Sequence, residues 1–181
     1  VEELLWGIAL NCAGLAMEKL FEELCNWLRG FEKLVIMGIG NPLRGDDFVG
    51  VEVAKRLKKL MSRECVVVYE CETVPENFLG KVEEAKPSHV LLIDAAAIGL
   101  EAGGMKLADP KKVLGHTIST HAIPLRVLAE YIEETTRARV MLLAIQPLIL
   151  GFGEGLSPVV EEAAEKAAQA LVKAIEECWG K

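Results

Sequence analysis

The chain predicts an α/β fold: a three-layer sandwich whose twisted, mostly parallel sheet of about five strands carries helices on both faces. Three observations predict it. Short apolar runs rich in β-branched residues alternate with amphipathic segments. A glycine-rich turn separates the first apolar run from the helix after it. No internal repeat or low-complexity linker interrupts the alternation across 181 residues, a length that suits one domain able to bury a normal core.

Taken in order, the first element is a helix. Leu20, Phe21, Leu24, Trp27 and Leu28 recur at helical spacing, with Glu18, Lys19, Glu22, Glu23 and Arg29 on the other side, and Gly30 ends the segment. Leu34-Val35-Ile36-Met37 reads as a buried strand. It breaks at Gly38, Gly40, Asn41 and Pro42, and a helix resumes from Gly50 through Leu57 and Leu60. Cys65 to Tyr69 is the second strand. The stretch Glu70–Phe78 reads as a loop, and Asn77 to Ala85 as a short helix closed by Pro87. His89 to Ile93 is the third strand and delivers Asp94 at its carboxyl end. Gly103 to Leu107 reads as a short edge strand, followed by the polar loop His116–His121. A helix then uses Leu125, Leu128, Ala129 and Ile132, and a strand runs from Val140 to Ile145. After a glycine-rich loop, Ser157 and Pro158 suit an N-cap and first helical position for a last helix reaching about Cys178.

Composition narrows the classes of function. An apolar fraction of 51% with 26% charged residues belongs to a soluble globular protein. A net charge of −7 argues against non-specific nucleic-acid binding, which needs a basic footprint. The five cysteines are scattered without a C-x-x-C pair, so they read as reduced thiols of a cytoplasmic protein and not as a disulfide frame or zinc knuckle. The uncharged stretch Leu4–Met17 is too short for a comfortable membrane span. Glu2 and Glu3 stand where a signal peptide carries basic residues. The N-terminal helix is therefore expected to pack on the domain or on a second copy, as a homodimer, with a membrane-surface or partner-docking role as the alternative.

Candidate chemistry gathers where the turns meet the sheet. In open α/β sheets ligands bind beyond the carboxyl ends of the strands. Glycine-rich turns there cradle phosphates, and Gly40–Gly45 has the G-x-x-x-x-G frame of a phosphate loop. Asp46 and Asp47 nevertheless replace the lysine and hydroxyl residue that such a loop requires. Two negative charges repel a phosphate and attract a cation. Asp47 after the first strand, Asp94 at the tip of the third and His121 before a helix form an O/O/N set suited to zinc, nickel, manganese or iron, with positions left for water or substrate. Each has a plainer role open to it: Asp47 as a helix cap, Asp94 as a turn cap, His121 as a hydrogen-bonding loop residue. Asp46 is expected to fix the turn through backbone N–H groups, while Gly38, Gly40, Asn41 and Gly45 shape the loop or meet substrate.

Four segments occur together in order: GIGNPLRGDDFVG (Gly38–Gly50), LLIDAAAIG (Leu91–Gly99), STHAIPL (Ser119–Leu125) and IQPLILGFGEGLSP (Ile145–Pro158). Together they closely resemble the [NiFe]-hydrogenase maturation endopeptidases, peptidase family M52, over roughly residues 33–178. The likeness is strongest to the type that processes hydrogenase-3-like large subunits. The resemblance implies a nickel-dependent endopeptidase that removes the C-terminal extension of a large-subunit precursor after nickel insertion, cutting after a basic residue. It implies that Asp47, Asp94 and His121 contact the metal, with Asp47 or Asp94 in catalysis. Nickel is then presented by the precursor, and another divalent metal such as zinc is open to the isolated protein. Family chains begin near the first strand, whereas residues 1–30 here form a helical extension ahead of an endopeptidase domain at 31–181. The alternatives are a nickel-checking chaperone that does not cut, or a nucleotide-binding α/β module.

Overall fold

The computed structural model describes residues 2–112, 124–153 and 155–179, with side chains from residue 14 onward. In chain order it contains α1 (Glu2–Leu28), β1 (Leu34–Ile39), a 3₁₀ turn (Gly45–Phe48), α2 (Val49–Leu60) and β2 (Val66–Glu72). A second 3₁₀ turn (Pro75–Phe78), α3 (Leu79–Ala85), β3 (His89–Ala95) and β4 (Met105–Ala108) follow, then α4 (Leu125–Thr136), β5 (Arg139–Ile145) and α5 (Pro158–Cys178). The five strands lie in the order β2-β1-β3-β5-β4. All pairs are parallel except β4 with β5, so the edge strand expected at residues 103–107 closes the sheet antiparallel.

The alternation of side chains along each strand builds two cores. Leu34, Ile36, Leu91, Ile93, Leu143 and Ile145 point to one face, under α1, α2 and α5. Val35, Met37, Val90, Leu92, Val140 and Leu142 point to the other, under α3 and α4. Strands buried on both faces read as unbroken apolar runs, and for that reason β1 and β3 stood out in the sequence. Two elements differ from expectation. β2 continues through Glu70–Glu72 because the Glu72 carbonyl accepts the Gly40 N–H at 3.0 Å. The segment expected as one helix from Asn77 opens as a 3₁₀ turn starting at Pro75, and α3 ends at Lys86 in the left-handed conformation, φ 49°.

The helical extension belongs to this core. Leu20, Leu24, Trp27 and Leu28 are buried on α1, which packs against α5 and reaches β4. α5 brings buried alanines to the same core, among them Ala163, Ala167 and Ala174, whose small side chains let helices approach closely. The two helices run in parallel. Lys173 sits over the Phe21 ring at 4.4 Å, the Cys178 thiol meets the Cys25 carbonyl, and Phe31 packs against Trp179 at 5.4 Å, so their C-terminal ends coincide. Among the described residues no helix is long and apolar enough to cross a membrane.

At the amino edge of the sheet, β3 begins with His89, which is buried between Trp27 and Phe31. Its Nδ1 lies 3.0 Å from the Ser88 hydroxyl oxygen, which also accepts the Glu32 and Lys33 N–H groups. Burial holds the imidazole below its ordinary pKa, the nearby Arg139 charge adds to this, and a backbone hydrogen bond with Trp27 opposes it. The folded state therefore prefers neutral His89. Its contribution to stability is complete above the unfolded value near 6.5 and is lost as pH falls through the lower folded value. Urea midpoints measured between pH 7.5 and 5 are expected to fall for the parent chain, and the fall is expected to be smaller in a His89→Phe variant.

Candidate active site at the carboxyl edge of the sheet

Strand order reverses beside β1: β2 lies on one side and β3 on the other, which makes the crevice between β1 and β3 the switch point of the sheet. Three glycines bring α2 down onto that crevice. A Cβ on Gly50 would stand 2.1 Å from the Ile93 carbonyl oxygen and 2.4 Å from that of Ile39. One on Gly38 would stand 2.3 Å from the Gly50 oxygen, and one on Gly40, at φ 151°, 2.0 Å from the Asp47 oxygen. No other residue allows backbone to approach backbone this closely. The result presses the Gly45–Phe48 turn against the end of β3.

That packing places two of the three expected ligands at one edge. Asp47, 2% exposed, follows β1, and Asp94, 1% exposed, lies at the end of β3. Asp47 Oδ2 accepts the Asn41 N–H at 3.1 Å, and Asn41 Oδ1 accepts the Leu43 N–H at 2.9 Å, which folds the turn over the carboxylate. Asp47 does not cap α2; the N-cap is Phe48, without a side-chain bond. Asp94 Oδ1 accepts the N–H of Ala95 at 2.9 Å. His121 lies outside the described residues. Among the described residues no group of three or more His, Cys, Asp or Glu could hold a metal ion.

Asp46 does a different job. Although it is fully buried, its Oδ2 accepts the N–H groups of Leu148 and Ile149 at 2.9 and 2.8 Å and the Ser157 hydroxyl at 2.9 Å, and its Oδ1 accepts the Ser157 N–H at 2.6 Å. The bonds expected within its own turn go instead to a loop a hundred residues away. Ser157 stands at the N-cap of α5 as expected, but its hydroxyl serves Asp46 and makes no cap bond. Further bonds join the loops: Gly45 N–H to Gly153 O, Asp46 N–H to Ile149 O, and the Arg44 guanidinium to Leu150 O at 3.0 Å. Gly45 adopts φ 52° to make this turn.

Gln146 was absent from the sequence candidates. Its Oε1 accepts the N–H groups of Ile98 and Gly99 at 2.9 and 3.1 Å, pinning the segment that follows Asp94 to the end of β5. An amide directly after a strand tip and before Pro147 was the available signal. Exposed apolar side chains crowd the paired loops: Leu43 at 57%, Leu148 at 60%, Ile149 at 53% and Phe152 at 90%. Beside them a cleft of about 420 Å³ lies between Pro42, Leu43, Phe48 and Leu156, with Glu52 and Glu161 on its wall. An apolar rim beside buried carboxylates suits a polypeptide ligand and offers nothing to a phosphate.

The chain is similar to proteins of one family. The sequence profile of the family described as hydrogenase maturation protease, HycI, matches residues 51–174. A putative hydrogenase maturation protease of Methanocaldococcus jannaschii is 34% identical over 163 residues, covering 86% of this chain and 96% of that protein. The hydrogenase 3 maturation protease of Escherichia coli K12 is 30% identical over 138 residues, covering 76% and 87%. The crystal structure of the [NiFe] hydrogenase maturation protease HycI from Thermococcus kodakarensis superposes with a TM-score of 0.79 at 40% identity, covering 84% of this chain and 98% of that one.

The Asp46 bracket is testable through stability. Asp46→Ala leaves buried N–H groups without an acceptor and is expected to cost about 3 kcal/mol or more in urea unfolding. Asp46→Asn, which keeps one acceptor oxygen, is expected to cost less.

Proposed function

The chain belongs to the hydrogenase maturation protease family, and from that premise we propose that it is an endopeptidase removing the C-terminal extension of a [NiFe]-hydrogenase large-subunit precursor once nickel has been inserted. The observation that carries the reading is the pair of buried carboxylates, Asp47 and Asp94, at the switch point of the sheet beside an apolar rim. Buried carboxylates are acceptor-only groups that favour a cation. In this proposal the cation is nickel, carried in by the precursor, and the reaction is cytoplasmic.

Asp47, Asp94 and, by resemblance, His121 supply two oxygen donors and one nitrogen, leaving the remaining positions to the precursor. Nickel bound by these residues would supply positive charge to polarise a carbonyl or a bound water. Asp46 has a structural role in this reading, since both of its oxygens accept hydrogen bonds from the 148–157 loop. A carboxylate oxygen of Asp47 or Asp94 accepts the proton of the attacking water as general base. Because the ligand set is incomplete without the precursor's own donors, an empty precursor binds poorly and escapes cleavage. The checkpoint is thus differential binding.

The Leu43, Leu148, Ile149 and Phe152 rim, in the same proposal, carries the polypeptide on either side of the scissile bond. The paired loops hold that rim in a fixed relation to Asp47, since Asp46 ties one to the other.

Mass spectrometry of a nickel-loaded precursor incubated with the protein is expected to show loss of the C-terminal extension. Asp47→Asn and Asp94→Asn are expected to slow it by about 10²–10⁴-fold while remaining folded. Binding of the precursor without cleavage would identify a chaperone and overturn the protease reading. Cleavage of a nickel-free precursor at the same rate would overturn the checkpoint alone. Phe152→Ala is expected to raise KM about tenfold with kcat nearly unchanged, the signature of lost uniform binding.

A further inference from the structure

Cys25 and Cys178 are 153 positions apart, yet they meet. Cys25 lies in the last turns of α1 and Cys178 is the final residue of α5. The Cys178 thiol donates to the Cys25 carbonyl oxygen across 3.5 Å, which sets the two cysteines side by side. Both side chains are half-buried against the core under α1, α2 and α5, so each is held by packing while an edge stays open to solvent. The contacts on either side, Phe21 with Lys173 and Phe31 with Trp179, hold the helices in register around the pair.

We propose that Cys25 and Cys178 are a covalent modification site: on meeting a disulfide oxidant such as oxidised glutathione they close a bond that clasps α1 to the end of α5. The first thiolate attacks the oxidant, whose S–S bond breaks. A mixed disulfide forms and one low-molecular-weight thiol leaves with a proton. The second protein thiolate then attacks the protein sulfur of that mixed disulfide, forming the Sγ–Sγ bond and releasing the second small thiol. The two protein thiols are oxidised by two electrons, the oxidant is reduced by two, and both thiol protons end on the released thiols.

The surroundings favour a durable bond. Burial, followed by contact with Cys178 and the Glu177 charge, pushes the Cys25 thiol up to about 11, against a smaller opposing effect of Lys173. Dithiols become strong oxidants when their reduced form is stabilised as thiolate, and Cys25 has no such stabilisation. The high value also makes Cys25 a slow attacking thiol at neutral pH. Cys71, buried and pushed up to about 12, is engaged with the Tyr69 carbonyl on the opposite core and cannot compete for either partner.

The test is chemical and independent of the protease reading. The purified full chain is equilibrated in glutathione buffers of rising oxidised fraction, alkylated, and digested without reduction. The expected result is loss of two alkylable thiols together, loss of the mass of two hydrogens, and a cross-linked peptide joining Cys25 to Cys178. The thermal midpoint is expected to rise by about 5 °C or more, because the bond closes a very long loop. The rise is expected to vanish with dithiothreitol and in Cys25→Ser and Cys178→Ser variants. Persistence of both free thiols in the most oxidised glutathione buffer would overturn the proposal. So would a stable glutathione adduct that does not resolve, or a cross-link to any other cysteine. The parent chain's mass and peptide map decide the matter even if a variant fails to fold.

Discussion

The buried Asp46 carboxylate is the constraint on which the rest of the site depends. A charge without solvent is costly unless donors surround it, and here two loops distant in sequence supply them. Among the described residues neither loop has a helix or strand of its own beyond the short 3₁₀ turn, so mutual satisfaction of polar groups fixes both. The neighbouring residue inherits the result. Asp47 cannot move without moving the turn, and the turn is held by the far loop as firmly as by its own backbone. The acid that bears the proposed chemistry thus owes its position to an acid that bears none.

The glycine contacts complete that arrangement from below. Backbone carbonyls of β1 and β3 meet α2 at Gly50, and this leaves no thickness between the start of the helix and the strand tips. Phosphate-binding folds use the same closeness to offer N–H groups to an anion. Here the Asp46 and Asp47 carboxylates occupy that end of the turn, one buried in donors and the other at the crevice. A shared scaffold has been given the opposite electrostatic sign, and function follows the side chains rather than the topology.

Most of the architecture was legible because the sheet is buried on both sides. Continuous apolar runs announced β1, β3 and β5, and amphipathic spacing announced α4 and α5. The places of Asp94, at the tip of β3, and of Asp47, in the turn after β1, were legible from the apolar runs and the glycine-rich turn that precede them. The partner of Asp46 was not, because nothing in residues 45–48 records that residues 148–157 will come near. Ser157 looked like a cap, and the local pattern for a cap is identical whether or not the hydroxyl has a distant acceptor. The extra length of β2 was hidden for a related reason: Glu70–Glu72 carries strand-poor residues, and it pairs because β1 and the Gly40 N–H lie alongside. Gln146 shows a third kind of omission, a polar residue whose role is to hold a neighbour's backbone.

The parallel packing of α1 and α5 divides the molecule by edge. Phe31 against Trp179 places the described end of α5 at the amino ends of the strands, beside His89, whereas Asp47 and Asp94 occupy the carboxyl ends. The contacts that join the two helix ends are therefore on the rim of the sheet opposite Asp47 and Asp94. A tether, label or fused domain attached after Trp179 is carried on the side of the sheet opposite Asp47 and Asp94.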